Sequence, residues 1–195
     1  MARYGAKYVK WAPYKTADSS SAAPVYDNTK AVELSELTTA NWTPTIASGQ
    51  QYGNNIKVED ISQVTGGTLA LEVTDLPEAA RIAIYGNKQD SESAATKSVQ
   101  GAEDEPPYGG VVYIKCGVRN GVYYWEGYFY PKCKAVPTAD GVQTGNSSIT
   151  LTGDSLSLSV FPRLNDQGVR EISKRFDTEA AAVTWCNTQL GITGG

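Results

Sequence analysis

The sequence predicts a single domain of the α+β class that is mainly β, with about eight strands and two short helices. Three observations lead to this fold class. The 195 residues include 19 Gly, 9 Pro and 12 Tyr, a composition typical of strands and tight turns. Apolar and polar residues alternate in several segments, which is the period of a half-buried strand. Asn120-Gly121 separates two such segments, and Asn-Gly is the strongest short signal for a β-hairpin.

The first part of the chain is predicted to contain two strands followed by a long loop. Residues 4–11 and 30–37 read as strands because Tyr, Val and Leu alternate there with polar residues. The stretch 38–55 loses this periodicity and is predicted to be a loop, and loops of that length are usually functional or disordered. It carries three large apolar side chains, Trp42, Ile46 and Tyr52. A solvated loop does not need such side chains, so we expect this loop to take part in self-assembly.

The next segment is predicted to lead from extended chain into a short helix. Residues 56–61 and 68–73 are expected to be extended, the second with a clear alternation of apolar residues. Asp75 is positioned to cap a helix in which Glu78 completes a capping box. That helix is expected to end near Tyr85, because Gly86 suits the left-handed position after a helix.

A polar segment and then the best-defined hairpin come next. Residues 87–107 are predicted to be a solvated insertion. Residues 111–118 and 122–130 flank the Asn-Gly turn, and this register places Lys115 opposite Glu126 and aligns the apolar residues of both strands. The face predicted to meet the core carries Tyr123, Trp125 and Phe129. The opposite face, expected to meet a helix or a neighbouring subunit, carries Tyr113, Tyr124, Tyr128 and Tyr130.

The last part of the chain is predicted to add two strands and a C-terminal helix. Residues 132–136 and 149–161 read as strands, the second with Leu and Val alternating with Ser. The helix is predicted over 178–190, with Asp177 as its cap and Gly191 as its stop. No domain boundary interrupts the pattern, so residues 1–195 are predicted to form one domain.

The residue types needed for catalysis or metal binding are largely missing. The chain has no histidine, which removes Ser-His and Cys-His catalysis and most metal sites built on imidazole. The three cysteines share no short spacing, and no nucleotide-binding, calcium-loop or nucleophile-elbow motif is present. The sequence therefore predicts no enzymatic activity, no cofactor and no metal.

The net charge and the hydropathy of the chain argue against two further classes of partner, nucleic acid and membranes. The formal net charge of −4 argues against a protein that wraps nucleic acid on a basic face. No stretch approaches 18 consecutive apolar residues, and the first residues lack the apolar core of a signal peptide. We therefore expect no membrane span and synthesis in a cytoplasm.

The order of several segments resembles the major tail protein of long-tailed bacteriophages and prophages with non-contractile tails, the group called phi13-type. The stretches that carry the resemblance are YGAKYVKWAP at 4–13, GGTLALEVTDLPEAARIAIYG at 66–86, PYGGVVYIKCGVRNGVYYWEGYFYPKCK at 107–134 and SLSLSVFPR at 155–163. No single motif is diagnostic, and the specificity lies in the series. The polar segment at 87–107 and the Ser-rich loop near Ser20 depart from the pattern and are interpreted as insertions.

The resemblance implies a tail-tube fold, a β-sandwich or half-barrel with flanking helices. It also implies that six copies close into a ring and that rings stack into a tube in the virion tail, after synthesis in the host bacterial cytoplasm. The implied partners are the tape-measure protein and the tail-terminator and tail-tip proteins, and duplex DNA would pass through the lumen without specific binding. A carbohydrate-binding β-sandwich is the alternative, because exposed Tyr and Trp side chains can stack on sugars.

Overall fold

The computed structural model describes residues 2–89, 98–101, 103–137 and 153–192, and within them the chain is mainly β. The strands are β1 Ala2–Thr16, β2 Val25–Tyr26, β3 Val32–Glu33, β4 Leu37–Gly53, β5 Ile56–Val73, β6 Lys88–Gln89, β7 Ser98–Val99, β8 Tyr108–Arg119, β9 Val122–Val136, β10 Asp154–Val160 and β11 Ile172–Phe176. The α-helices are α1 Glu78–Tyr85 and α2 Glu179–Gln189, and short 3₁₀ helices lie at Asn28–Lys30 and Asp166–Gly168. The predicted fold class is confirmed.

Nine strands form one antiparallel sheet, close to the predicted number of about eight. Its order is β2-β1-β8-β9-β10-β5-β4, while β3 also pairs with β1 and β11 also pairs with β9. The strands β6 and β7 form a separate pair. β3 lies against β1, yet β4, at the opposite end of the order, begins only a few residues later. The sheet must therefore curl until its two ends approach each other, as in a half-barrel.

The central strands of the sheet are buried on both faces. One face holds the larger core, which α1 closes with Ala80 and Ile84. The side chains of this core from the sheet include Trp11, Leu69, Leu71, Tyr113, Tyr130, Leu156 and Leu158. The other face is covered by α2, and its cluster contains Val112, Ile114, Phe129, Ala182, Cys186 and Leu190. These two apolar layers fix the position of both helices on the sheet.

The hairpin of β8 and β9 has the predicted register. Arg119 pairs with Val122 and Lys115 with Glu126, and the same register continues to Val111 opposite Tyr130, beyond which it shifts by one residue. Asn120 and Gly121 have φ values of 51° and 77°, the left-handed values that a two-residue type I′ turn requires. The Asn-Gly turn therefore correctly predicted both strands and their register.

The tyrosine face of this hairpin belongs to the core that α1 closes, so of the two expected partners it meets a helix and not a neighbouring subunit. Tyr113, Tyr124, Tyr128 and Tyr130 are only 0%, 6%, 7% and 1% exposed. Three of them belong to the larger core, where the ring centroids of Tyr113 and Tyr128 stack at 5.3 Å. Tyr123, which was predicted to face the core, is instead 56% exposed near the turn. Alternation cannot distinguish the two faces here because both are covered, one by the curled sheet and α1 and the other by α2.

The predicted loop at 38–55 is also wrong, since these residues belong almost entirely to β4. β4 pairs with β5 along its length, from Leu37 opposite Val73 to Gly53 opposite Ile56. Asn54 and Asn55, with φ values of 52° and 61°, make the tight turn between them. Much of this hairpin is solvated on both faces, so no alternating pattern is required of its sequence.

Both helices occur where the sequence predicted them, although their caps differ. Gly86 ends α1 in the left-handed conformation, as predicted. Asp75 does not cap α1; the Asp154 carboxylate instead accepts a 2.7 Å hydrogen bond from the amide of Leu76. Thr178, rather than Asp177, caps α2 by accepting a hydrogen bond from the amide of Ala181.

The remaining predictions hold in part. The predicted strand at 132–136 is the end of β9, and β10 covers part of the predicted strand 149–161, of which residues 149–152 lie outside the described residues. The insertion at 87–107 contains β6 and β7, and its residues 90–97 and 102 also lie outside them. β11 was not predicted.

Candidate assembly surface

The three side chains predicted to mediate self-assembly all lie on β4, but the structure divides them between two environments. Trp42 is half-buried, with its ring centroid 5.5 Å from that of Tyr130. Its ring also covers Gly67, where an added Cβ would come within 2.4 Å of a Trp42 ring carbon. Trp42 is therefore part of the packed body of the sheet.

Ile46 and Tyr52 lie on a projecting part of the same hairpin. Ile46 is 58% exposed and Tyr52 is 64% exposed. The Tyr52 hydroxyl reaches only its neighbour, donating a 2.9 Å hydrogen bond to Oε1 of Gln50. These two side chains are available for contact with another molecule, whereas Trp42 is not.

The projecting segment, which we call the arm, comprises residues 45–66. β5 pairs with β10 only from Val73 to Gly67, so beyond that point the hairpin has two strands and no third strand from the described residues beside it. At about 3.3 Å per residue, the eleven residues from Ile56 to Gly66 extend roughly 30 Å beyond the last pair of β5 with β10. At its root, Nη1 of Arg170 donates a 2.8 Å hydrogen bond to the carbonyl of Val64.

The arm exposes more apolar side chains than the sequence analysis identified. Its second strand adds Ile56, Val58 and Ile61, which are 69%, 68% and 63% exposed. The segment 56–61 was predicted to be extended, but it was not recognised as the partner of the preceding residues. The signal that would have linked them is Asn54-Asn55, because Asn tolerates the left-handed backbone of a type I′ turn.

The charge of the hairpin is unusually low for an exposed surface. No Asp, Glu, Lys or Arg occurs from residue 37 to residue 56. The arm carries only Lys57, Glu59 and Asp60, and Lys57 forms an ion pair with Asp60. Charged side chains normally protect solvated strands from association, so this surface is poorly protected.

β4 is also an edge strand, lying at one end of the sheet order with no second partner among the described residues. An edge strand presents free N–H and C=O groups to other chains, and proteins usually block it with charges, bulges or proline. Here Pro44 is the one proline of the strand, and it is tolerated because its missing N–H costs no ladder hydrogen bond at an edge. The edge can pair with a strand of another molecule.

The three cysteine thiols are buried and unreactive. Cys116, Cys133 and Cys186 are free thiols within the core. Burial raises the pKa of all three, that of Cys186 to about 12, so they are protonated at neutral pH. Among the described residues, no group of three or more Asp, Glu or Cys side chains is placed to hold a metal ion.

Neither helix in the described part of the chain is long and apolar enough to cross a lipid bilayer.

No protein-family model matches the chain, and no curated protein matches it either.

Proposed function

We propose that this protein is a structural subunit that assembles with copies of itself into the tube of a bacteriophage tail. The observation that supports it best is the arm, a solvated hairpin with five exposed apolar side chains and little charge. A two-stranded hairpin is at best marginally stable in water. Contact with a neighbouring subunit would bury the apolar side chains and stabilise the arm.

The free energy available from burying the apolar side chains of the arm indicates how many contacts each subunit needs. Complete burial of an exposed Ile or Val side chain stabilises by about 1.5–3 kcal/mol, so five partly exposed side chains supply roughly 5–10 kcal/mol. The loss of translational and rotational freedom on association costs about 4–15 kcal/mol. A single arm contact is therefore marginal, and several contacts per subunit are needed, as in a closed ring.

The form of the assembly follows from the resemblance to phi13-type tail proteins. Six copies would close into a ring, and stacked rings would form the tube that encloses the tape-measure protein and later conducts the genome. The edge strand β4 is suited to such an assembly, because pairing with another subunit satisfies its free backbone groups. The tail-terminator and tail-tip proteins would cap the tube in the virion.

The alternative, a carbohydrate-binding module, loses support from the burial of the tyrosine face. Stacking on a sugar needs an exposed aromatic ring. Tyr113, Tyr124, Tyr128 and Tyr130 are all buried, so the platform that motivated this alternative does not face solvent. Binding of polysaccharide by a strictly monomeric protein would restore it.

An arm-shortened variant tests the proposal. Ile46 pairs with Val64, so replacing residues 47–63 with Asn-Gly closes the hairpin at that pair with a tight turn. We expect the wild type to form rings or tubes at raised concentration and this variant to remain monomeric, measured by sedimentation velocity and negative-stain microscopy. Deletion of residues 42–52 is a poorer test, because it removes Trp42 from the core and unpairs much of β5.

The matched control is Val122→Ser, at the tip of the other hairpin. Val122 is 68% exposed, like the apolar side chains of the arm, but it lies beside the β8–β9 turn. This variant should assemble like the wild type. A wild-type protein that remains monomeric at every concentration, without rings in micrographs, would exclude the proposal.

A further inference from the structure

We propose that the tip of the arm binds in a cleft beside α1 on a second copy of the chain. This inference rests on the proposed function and specifies the acceptor surface. The cleft has a volume of about 660 Å³, within the range of clefts that enclose several side chains. It lies between α1, the 3₁₀ helix at Asn28–Lys30 and the end of β1.

The floor of the cleft is apolar and not fully covered. α1 directs Ala80 and Ile84 into the core, while along the cleft Ile82 and Ala83 are half-buried and Ala79 is exposed. Further lining side chains are Pro13, Val32 and Pro107. An apolar surface of this kind is suited to aliphatic and aromatic side chains rather than to a charged ligand.

The arm tip supplies side chains of matching chemistry. Tyr52, Ile56 and Val58 are 64%, 69% and 68% exposed around the turn at the tip. The polar rim of the cleft carries one charge of each sign, on Asp27 and on Lys30, whose side chain is 72% exposed. The tip also carries both signs. Lys57 could exchange its partner Asp60 for Asp27, and the acidic residues near the tip could approach Lys30, whose own contact with Asp27 is long at 4.0 Å.

The tip of the arm lies far from the cleft of its own chain. At one end of β5, Ile56 pairs with Gly53 at the arm tip; at the other end, Val73 pairs with Leu37 and leads into α1. Pro13, which lines the cleft, is level with Gly67 at the root of the arm through the paired residues Gly109, Cys133 and Val160. The tip lies roughly 30 Å beyond that level, so an arm cannot reach the cleft of its own chain. A contact between different surfaces of identical subunits repeats head to tail, and it builds an open polymer when it does not close on itself.

Cysteine cross-linking between two variants tests the contact. The three native cysteines are buried, so they do not compete for oxidation in the folded protein. Gln51→Cys places a thiol on the exposed arm near its tip, and Lys30→Cys places one on the rim of the cleft. After mild oxidation of an equimolar mixture, with one variant carrying a mass tag, we expect several-fold more disulfide-linked heterodimer than for a control pair. The control mixes Gln51→Cys with Val122→Cys.

Two results distinguish a failure of this inference from a failure of the proposed function on which it rests. Equal yields of heterodimer for the test and control pairs would overturn the cleft as the acceptor. If the wild type then still assembles and the arm-shortened variant does not, the arm mediates assembly by binding elsewhere. If the wild type never assembles, the proposed function is wrong and the cleft has no occupant.

Discussion

The Nζ atom of Lys132 lies 2.8 Å from Oδ1 of Asp18, and both side chains are largely removed from solvent. Asp18 follows β1, while Lys132 lies on β9. The second carboxylate oxygen of Asp18 accepts a 2.7 Å hydrogen bond from the amide of Leu164, in the segment after β10. One carboxylate therefore joins three segments that are distant in the sequence.

Asp18→Asn should destabilise the fold. The amide side chain keeps an acceptor for Leu164 but leaves the Lys132 ammonium without its counter-charge. Breaking a fully buried ion pair costs about 3–5 kcal/mol. Because Lys132 keeps some contact with solvent, we expect a loss of about 2–3 kcal/mol in the free energy of unfolding, measured by urea denaturation. Asp60→Asn breaks an exposed pair on the arm and should have little effect; equal losses for the two variants would contradict this account.

The same pair predicts a dependence of stability on pH. Burial raises the pKa of Asp18, but the hydrogen bonds from Lys132 and the Leu164 amide outweigh burial, so the folded-state pKa is lowered. The unfolded chain then binds more protons near pH 4 than the folded chain does, and stability rises with pH in that range. The contribution is complete above the unfolded pKa of about 3.9 and is lost as the pH falls through the folded value.

Urea denaturation of the wild type and of Asp18→Asn between pH 3 and pH 7, roughly the range over which carboxylates titrate, measures this effect. The difference in unfolding free energy should be constant near neutrality and should shrink below about pH 4. A difference that stays the same at every pH would show that Asp18 acts through packing and not through its charge.

Glycines lie beneath aromatic rings at several positions of the sheet, and one of them positions α2. An added Cβ at Gly127 would come within 2.7 Å of the Trp185 ring and 3.3 Å of Sγ of Cys186. Gly127→Ala should displace α2 and cost about 1–3 kcal/mol, the usual result of overpacking. Gly49→Ala on the arm meets open space and should stay within about 0.5 kcal/mol of the wild type. The urea midpoints of the two variants and the wild type measure these effects. A Gly127→Ala variant as stable as the wild type would show that α2 shifts without cost.

The parts of the fold that the sequence predicted have strong local signals. Asn120-Gly121 determines one turn type and with it the register of β8 and β9. Gly86 ends α1 because it adopts a backbone conformation that other residues rarely adopt. The caps were less predictable, because α1 begins after Pro77 without a side-chain cap, and Asp154, far along the chain, binds the amide of Leu76 just before it.

The candidate site was predictable only in part, and the reason is physical. Alternation arises when one face of a strand is buried, and the arm is solvated on both faces. Its residues therefore lack the pattern that identifies a strand, and Ile46 and Tyr52 stood out only as large apolar side chains in a segment without periodicity. β11 was missed for a similar reason, since three consecutive polar residues separate Ile172 from Phe176 and its partner β9 is distant in the sequence.

The basic residues that could bind phosphate are mostly engaged within the protein. The densest basic stretch lies between residues 163 and 175. Arg163 donates to Oδ2 of Asp166 at 2.8 Å, and Arg170 donates to a backbone carbonyl of the arm. Nη2 of Arg175 lies 3.4 Å from Oε1 of Glu126. These contacts compete with any contact to DNA.

We therefore expect no measurable affinity for duplex DNA at physiological salt, even for assembled tubes. Non-specific binding requires Lys and Arg side chains to displace counterions from phosphates, and it weakens steeply with salt. Here 21 acidic residues outnumber 17 basic ones, so the net field repels phosphates. A tube that conducts a genome benefits from an inner surface that repels phosphates, because DNA that does not bind can move freely. Fluorescence anisotropy with labelled duplex at about 150 mM salt measures the affinity; salt-sensitive micromolar binding would show that the assembled lumen is basic and that this electrostatic argument fails.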